Sequence, residues 1–310
     1  MKEHKLTLMG GAADQLRVPA SVLQEALGTL IEGARAATRF AVEGESTRQG
    51  TLPAWLEAAC ASEVTALSAG SAVIAMEAPT LQDADPGRFA PELFEDGEPP
   101  LGEASAIDLF GDVLASVIEA DPDAVMADRA LLDVCARFAK IGGAGFSGIR
   151  LEGLRGRGAP LQVTSQHVER IERLRDETPS PQAVRVAGKL DTISASRPNV
   201  TLTLRDETKV PVLLEGHDPK TLKALFNEQV VVSGMAHYRP SGRLLRVLGE
   251  SIDRARAEDA MFEALPRAIA TLPVAAVKPQ DEETGVSAFF GTWPGDESDR
   301  DLLEALQSMK

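Results

Sequence analysis

Few side chains in this sequence are placed to hold a metal or move a proton. The four histidines, His4, His167, His217 and His237, stand far apart, and the two cysteines, Cys60 and Cys135, are 75 positions from each other. No His-x-x-x-His or Cys-x-x-Cys spacing occurs, so no metal site and no cofactor are expected. Cys135 falls on the apolar stripe of a predicted helix, where a buried, protonated thiol is inert. Cys60 sits among small residues with no histidine close in sequence. A Gly-x-Ser-x-Gly nucleophile turn is absent. The stretch Ile141-Gly142-Gly143-Ala144-Gly145-Phe146 has the glycines of a phosphate loop but no Gly-Lys-Ser/Thr, and it follows a helix rather than a strand. With 47 acidic residues, neighbouring carboxylates arise by chance and single out no acid–base pair.

The residues better suited to binding lie further along the chain. His237 and Tyr238 close a predicted strand just before Arg239. Together with Arg197, Arg205 and Arg243 they make a candidate ligand surface. A second candidate is the chain end, where Phe289, Phe290, Trp293, Leu302, Leu303 and Leu306 gather apolar area behind an acidic, Pro-rich stretch. Such a cluster at a terminus must dock, either on its own chain or on a partner.

The elements that would position these groups follow from periodicity. Leu6–Met9 reads as a strand, and Val22, Leu23, Ala26, Leu27, Leu30, Ile31 and Ala34 mark a helix entered at Pro19. Val64–Leu67 and Ala72–Met76 read as a hairpin, and residues 81–104 as a long acidic surface loop. Ile107 to Ile118 predicts one helix, and a second starts at Asp121-Pro122-Asp123 and stops at Gly142-Gly143. Ile149–Leu154 and Leu161–Thr164 form another hairpin, followed by a helix over 165–177. Strands then alternate at 184–193, 200–204 and 210–214. A short helix opens at Asp218-Pro219, and two more strands lie at 230–236 and 244–252. The fold class is α+β: an N-terminal antiparallel sheet with helices, a small five-stranded β-barrel, and a C-terminal helical tail. The expected domains are 1–180, 183–256 and 257–310. Their charge balances of −12, +4 and −7 support the division, within a total of −15.

Three strands, a short helix and two strands over 183–253 resemble the OB-fold. That resemblance implies a basic groove for single-stranded nucleic acid, although an SH3-like barrel has a similar element count. The net charge of −15 opposes phosphate binding. The Gly291-Thr292-Trp293-Pro294-Gly295-Asp296-Glu297 tail with its short helix resembles the ends of small bacterial proteins, some of them linked to toxin–antitoxin loci. The expectation is a cytoplasmic, non-catalytic binding or assembly protein, with a basic protein partner or a second copy of itself and no membrane association. A single-strand binder is the alternative, and an enzyme with a scattered site the third.

Overall fold

The computed structural model describes residues 1–10, 18–48, 50–68, 72–89, 100–119, 121–143, 146–193, 199–214 and 218–268. In chain order the first half runs β1 (Lys2–Met9), α1 (Ala20–Glu43), α2 (Ala54–Ala59), β2 (Glu63–Ser68), β3 (Ala72–Ala78), α3 (Leu81–Ala84), α4 (Ala106–Glu119), α5 (Arg129–Ile141), β4 (Gly148–Glu152), β5 (Leu161–Val163) and α6 (Val168–Glu177). Its strands form one antiparallel sheet in the order β2-β3-β1-β4-β5. The first strand of the chain is therefore the middle one, with Leu6 opposite Ile74 on one side and Leu151 on the other. His4, Leu6 and Leu8 alternate onto the buried face, and all three are at most 1% exposed.

Helices α1, α4 and α5 cover that face. Helix α1 lays Ala26, Leu30, Ala34, Ala37 and Phe40 into the core. It can approach α4 closely because Gly33 has no side chain: a Cβ there would lie 2.4 Å from the Phe110 ring. Phe110 in turn meets Phe138 of α5 edge to face, with centroids 5.5 Å apart.

Two local departures from the sequence reading have clear causes. Of residues 81–104, 90–99 lie outside the described residues; the rest are not all loop, because the reciprocal hydrogen bonds of Thr80 and Asp83 cap α3, and Phe89 is buried. Helix α5 begins at Arg129 rather than near Pro122. Asp121 caps only the 3-10 turn Pro122–Ala124, and Asp128 then supplies a second cap by accepting from the Leu131 N–H. Val125 stays fully buried between the two, which is why the apolar stripe looked continuous.

After the linker Thr178–Pro181 come β6 (Gln182–Ile193), β7 (Asn199–Thr203), β8 (Lys209–Leu213), α7 (Pro219–Leu225), β9 (Gln229–Tyr238) and β10 (Leu244–Arg254). They form a closed five-stranded barrel with neighbours in the order β10-β8-β7-β6-β9. The pairs are antiparallel except β8 with β10, and β9 pairs with β10 to close the ring. Val186, Leu190, Val200, Leu202, Val212, Val232 and Val247 fill the interior.

The end of α1 meets the barrel wall. Gly44 takes the left-handed conformation (φ 83°) that ends the helix, returning its N–H to the Phe40 carbonyl. A Cβ on Gly44 would come 2.6 Å from Leu248 of β10. Leu245, also on β10, is counted in the core of the first half.

Candidate functional site

One buried cluster has the residue types of a hydrolase triad. His4 Nε2 lies 2.9 Å from Ser105 Oγ, and Asp108 is three residues further on. The geometry assigns them other work. Ser105 and Asp108 cap the start of α4 reciprocally: Ser105 Oγ accepts from the Asp108 N–H (3.0 Å), and Asp108 Oδ2 accepts from the Ser105 N–H (2.9 Å). The remaining capacity of Asp108 is taken by Lys2 Nζ at 3.1 Å and the Arg155 N–H at 2.7 Å. A triad acid must hold the far ring nitrogen of the histidine, yet Asp108 spends its oxygens on Lys2 and the Ser105 and Arg155 N–H groups, and the group beside His4 other than Ser105 is the Gly153 backbone. His4, Ser105 and Asp108 are 1%, 0% and 0% exposed, so no substrate reaches them. Burial lowers the His4 pKa against the opposing pull of Asp108, which favours a neutral ring. Burial works to raise the Asp108 pKa, but the Ser105 and Arg155 N–H groups and Lys2 together hold it below the usual carboxylate value. The cluster ties β1, the N-terminus of α4 and the turn after β4 into one staple. Its signals in the sequence were His4 in phase with Leu6 and Leu8, and a Ser-x-x-Asp box before an apolar run.

Four of the candidate barrel residues come together where the barrel meets the first half. Arg243 Nη1 binds Asp123 Oδ2 at 3.0 Å, and Arg239 donates to the Asp123 carbonyl. His237 is 9% exposed and Tyr238 2%, the latter in the barrel core with its hydroxyl 3.5 Å from Gln182 Oε1. Burial lowers the His237 pKa, Asp128 opposes that, and Arg246 adds to it. His237 and Tyr238 line a cleft of about 250 Å3 with Asp128, Arg129, Thr178 and Ser180. Asp128 itself is engaged, accepting from the Ser46 N–H at 2.7 Å and from Ser46 Oγ at 2.6 Å. Arg205 is exposed in the β7–β8 turn, on the rim of the barrel. Arg197, His217 and the tail residues Phe289, Phe290, Trp293, Leu302, Leu303 and Leu306 lie outside the described residues.

Arg246 is the residue of this seam that the candidate surface did not include. Its guanidinium sits 4.5 Å from the centroid of the Phe40 ring and donates to the Phe40 carbonyl at 3.3 Å. It places positive charge at the negative end of α1, a favourable position for a cation. Burial brings its pKa down to about 10, against the pull of Asp128, so it stays charged at neutral pH.

A larger cleft, about 680 Å3, opens on the barrel wall between α7, the end of β10 and the 3-10 turn Ala257–Phe262. Leu225, Val231 and Ile252 supply its apolar lining. Arg185, Arg254, Arg256, Asp253, Glu258 and Asp259 supply its charged lining. Arg185 pairs with the buried Asp259 at 3.2 Å and stacks over Phe262 at 4.8 Å. Among the described residues, the lining holds no histidine, cysteine or lysine, and Thr221 supplies a side-chain hydroxyl.

The thiols are held inactive by their surroundings. Burial raises Cys60 to about 11 despite Arg35, and Cys135, fully buried, is raised as well. His167 is occupied in accepting the Thr164 N–H at 3.2 Å. Gly142 ends α5 as a helix cap, and residues 144–145 lie outside the described set. No group of three or more His, Cys, Asp or Glu side chains suited to a metal occurs among the described residues, and no described helix is long and apolar enough to cross a membrane. No family model matches this chain, and no curated protein or solved structure does.

Proposed function

We propose that the protein is a non-catalytic binding or assembly module whose barrel is of the OB type and offers its wall cleft to a protein partner. The observation that carries this reading is the composition of the 680 Å3 cleft: charged side chains of both signs around a small apolar patch of Leu225, Val231 and Ile252, with no histidine, cysteine or lysine among its described lining residues. The strand neighbours and the helix between the third and fourth barrel strands support the OB assignment. The net charge of −15 favours a partner with a basic surface, through long-range steering. A toxin–antitoxin or defence-type setting rests on the sequence motif of the tail alone, for which the comparisons supply no relative.

The test is crosslinking and affinity capture from host lysate. Wild type is compared with an Arg254→Glu/Arg256→Glu variant, both residues being exposed, and with a chain lacking residues 286–310. A partner held by wild type and lost from the cleft variant supports the reading; the same partner set on all three proteins overturns it.

A single-strand-binding reading has the barrel topology in its favour. Against it, the β7–β8 wall carries Thr201, Thr203, Lys209 and Pro211 where stacking aromatics are needed, and Arg239 and Arg243 are engaged with Asp123. Anisotropy with labelled oligonucleotides at low salt is expected to show no saturable binding.

A further inference from the structure

The two edges of the N-terminal sheet are treated very differently. At one end β5 is three residues long and follows Pro160, a short edge of the kind that resists further pairing. At the other, β2 is six residues long, pairs with β3 alone among the described strands, and contains no lysine, arginine or proline. Its one charge, Glu63, stands at the start. Val64 is 51% and Leu67 68% exposed, far more than the alternation of a half-buried sheet requires.

The register makes these two residues a pair. Val64 lies opposite Met76 and Leu67 opposite Ile74, with Thr65 as an extra residue in a bulge. Met76 and Ile74 are core residues, so Val64 and Leu67 sit on the helix-covered face of the sheet, at a rim the helices do not reach. Without the bulge, residues three apart would point to opposite faces. Ile31 of α1, 37% exposed, lines a small crevice with Ser62, the residue just before β2. Val64 and Leu67 thus form an apolar strip along an open strand edge, with Ile31 beside Ser62 at the start of the strand.

We propose that this edge is a self-association surface, and that a second copy of the chain pairs with it, β2 antiparallel to β2 about a two-fold axis through the Thr65 bulge. The sequence of the strand is self-complementary in that register. Val64 comes opposite Leu67 of the other copy, and Leu67 opposite its Val64. Glu63 comes opposite position 68, so the two Glu63 carboxylates are not set against each other. A two-fold axis normal to the sheet keeps both helical layers on the same side, and the Val64 and Leu67 side chains of the two copies on that side as well. The result is a continuous ten-stranded sheet, an isologous dimer in which each strip covers its own copy.

Light scattering coupled to size exclusion tests this on the full chain, beside Val64→Lys and Leu67→Lys variants. The expected result is a wild-type dimer and a dissociation constant raised about tenfold or more in each variant, which sets a lysine against its neighbour across the axis. Because both positions are exposed, circular dichroism and melting temperature are expected to stay at wild-type values, which separates lost pairing from lost folding. A wild-type monomer at about 100 μM overturns the proposal and leaves the edge to a different protein. A dimer untouched by both lysines overturns it too, and moves the interface elsewhere on the chain.

Discussion

The two halves of the molecule solve the same problem, fixing the register of paired strands, by opposite means. The barrel interior is apolar, and its strands close on one another, so a slipped strand would break the ring at two seams. The open sheet of the first half has no such closure. Alternation prevents β1 from slipping by one residue, since every side chain would change face, but a two-residue slip preserves the alternation. The staple of Lys2, His4, Ser105 and Asp108 blocks that second error: moving β1 by two positions would leave the buried Ser105 and Asp108 without their partners on β1. Buried polar groups here specify one arrangement among several apolar ones.

The comparison breaks first at Asp108. Asp108→Ala removes the acceptor for two N–H groups and Lys2, and is expected to cost about 3 kcal/mol, read as a lower urea midpoint. A cost below about 1 kcal/mol would mean that the staple is dispensable. At the seam, Arg246→Met keeps the side-chain stem but loses the Phe40 carbonyl bond and the stacked charge, for about 2 kcal/mol. If the two halves then melt in separate calorimetric transitions, Arg246 is what couples them; a single unshifted transition removes it from that role.

A pH series sharpens the contrast. Burial lowers the pKa of His4, His167 and His237 from 6.5, so on acidification the unfolded chain takes up protons that the folded chain refuses. Stability is therefore full above pH 6.5 and declines as pH falls from there toward the lowered folded values. His4→Gln is expected to reduce that decline between pH 7.5 and 5.5; a slope identical to wild type would assign it to the other histidines. Smallest of all, Tyr238→Phe gives up a marginal 3.5 Å contact with Gln182 and should move stability by less than about 0.5 kcal/mol.

Strands and helices were legible in the sequence wherever the pattern is local. All five barrel strands alternate, and the Arg205–Thr208 and Pro240–Gly242 turns punctuate them. What could not be read is what depends on distant pairing. Nothing near Lys2–Met9 says that this strand lies between β3 and β4. The 121–128 segment offers two aspartate caps, and only packing decides that the second starts the helix. Arg239, Arg243 and Arg246 look alike as barrel arginines, yet the first two bind Asp123 and the third lies over Phe40. His4 shows in the sequence only as a histidine without a ligand partner, although Leu6 and Leu8, in phase with it, mark the core.

The central place of β1 also has a consequence during synthesis. Its pairing partner Gly148 follows Met9 by roughly 140 residues, so at about 5–20 residues per second the ribosome delivers it some 7–30 s later. For that interval β1 has one side unclaimed, with Leu6 and Leu8 lacking the neighbours that β4 supplies. An apolar strand edge therefore waits unpaired while residues 10–148 are made, the kind of surface that aggregates when exposed.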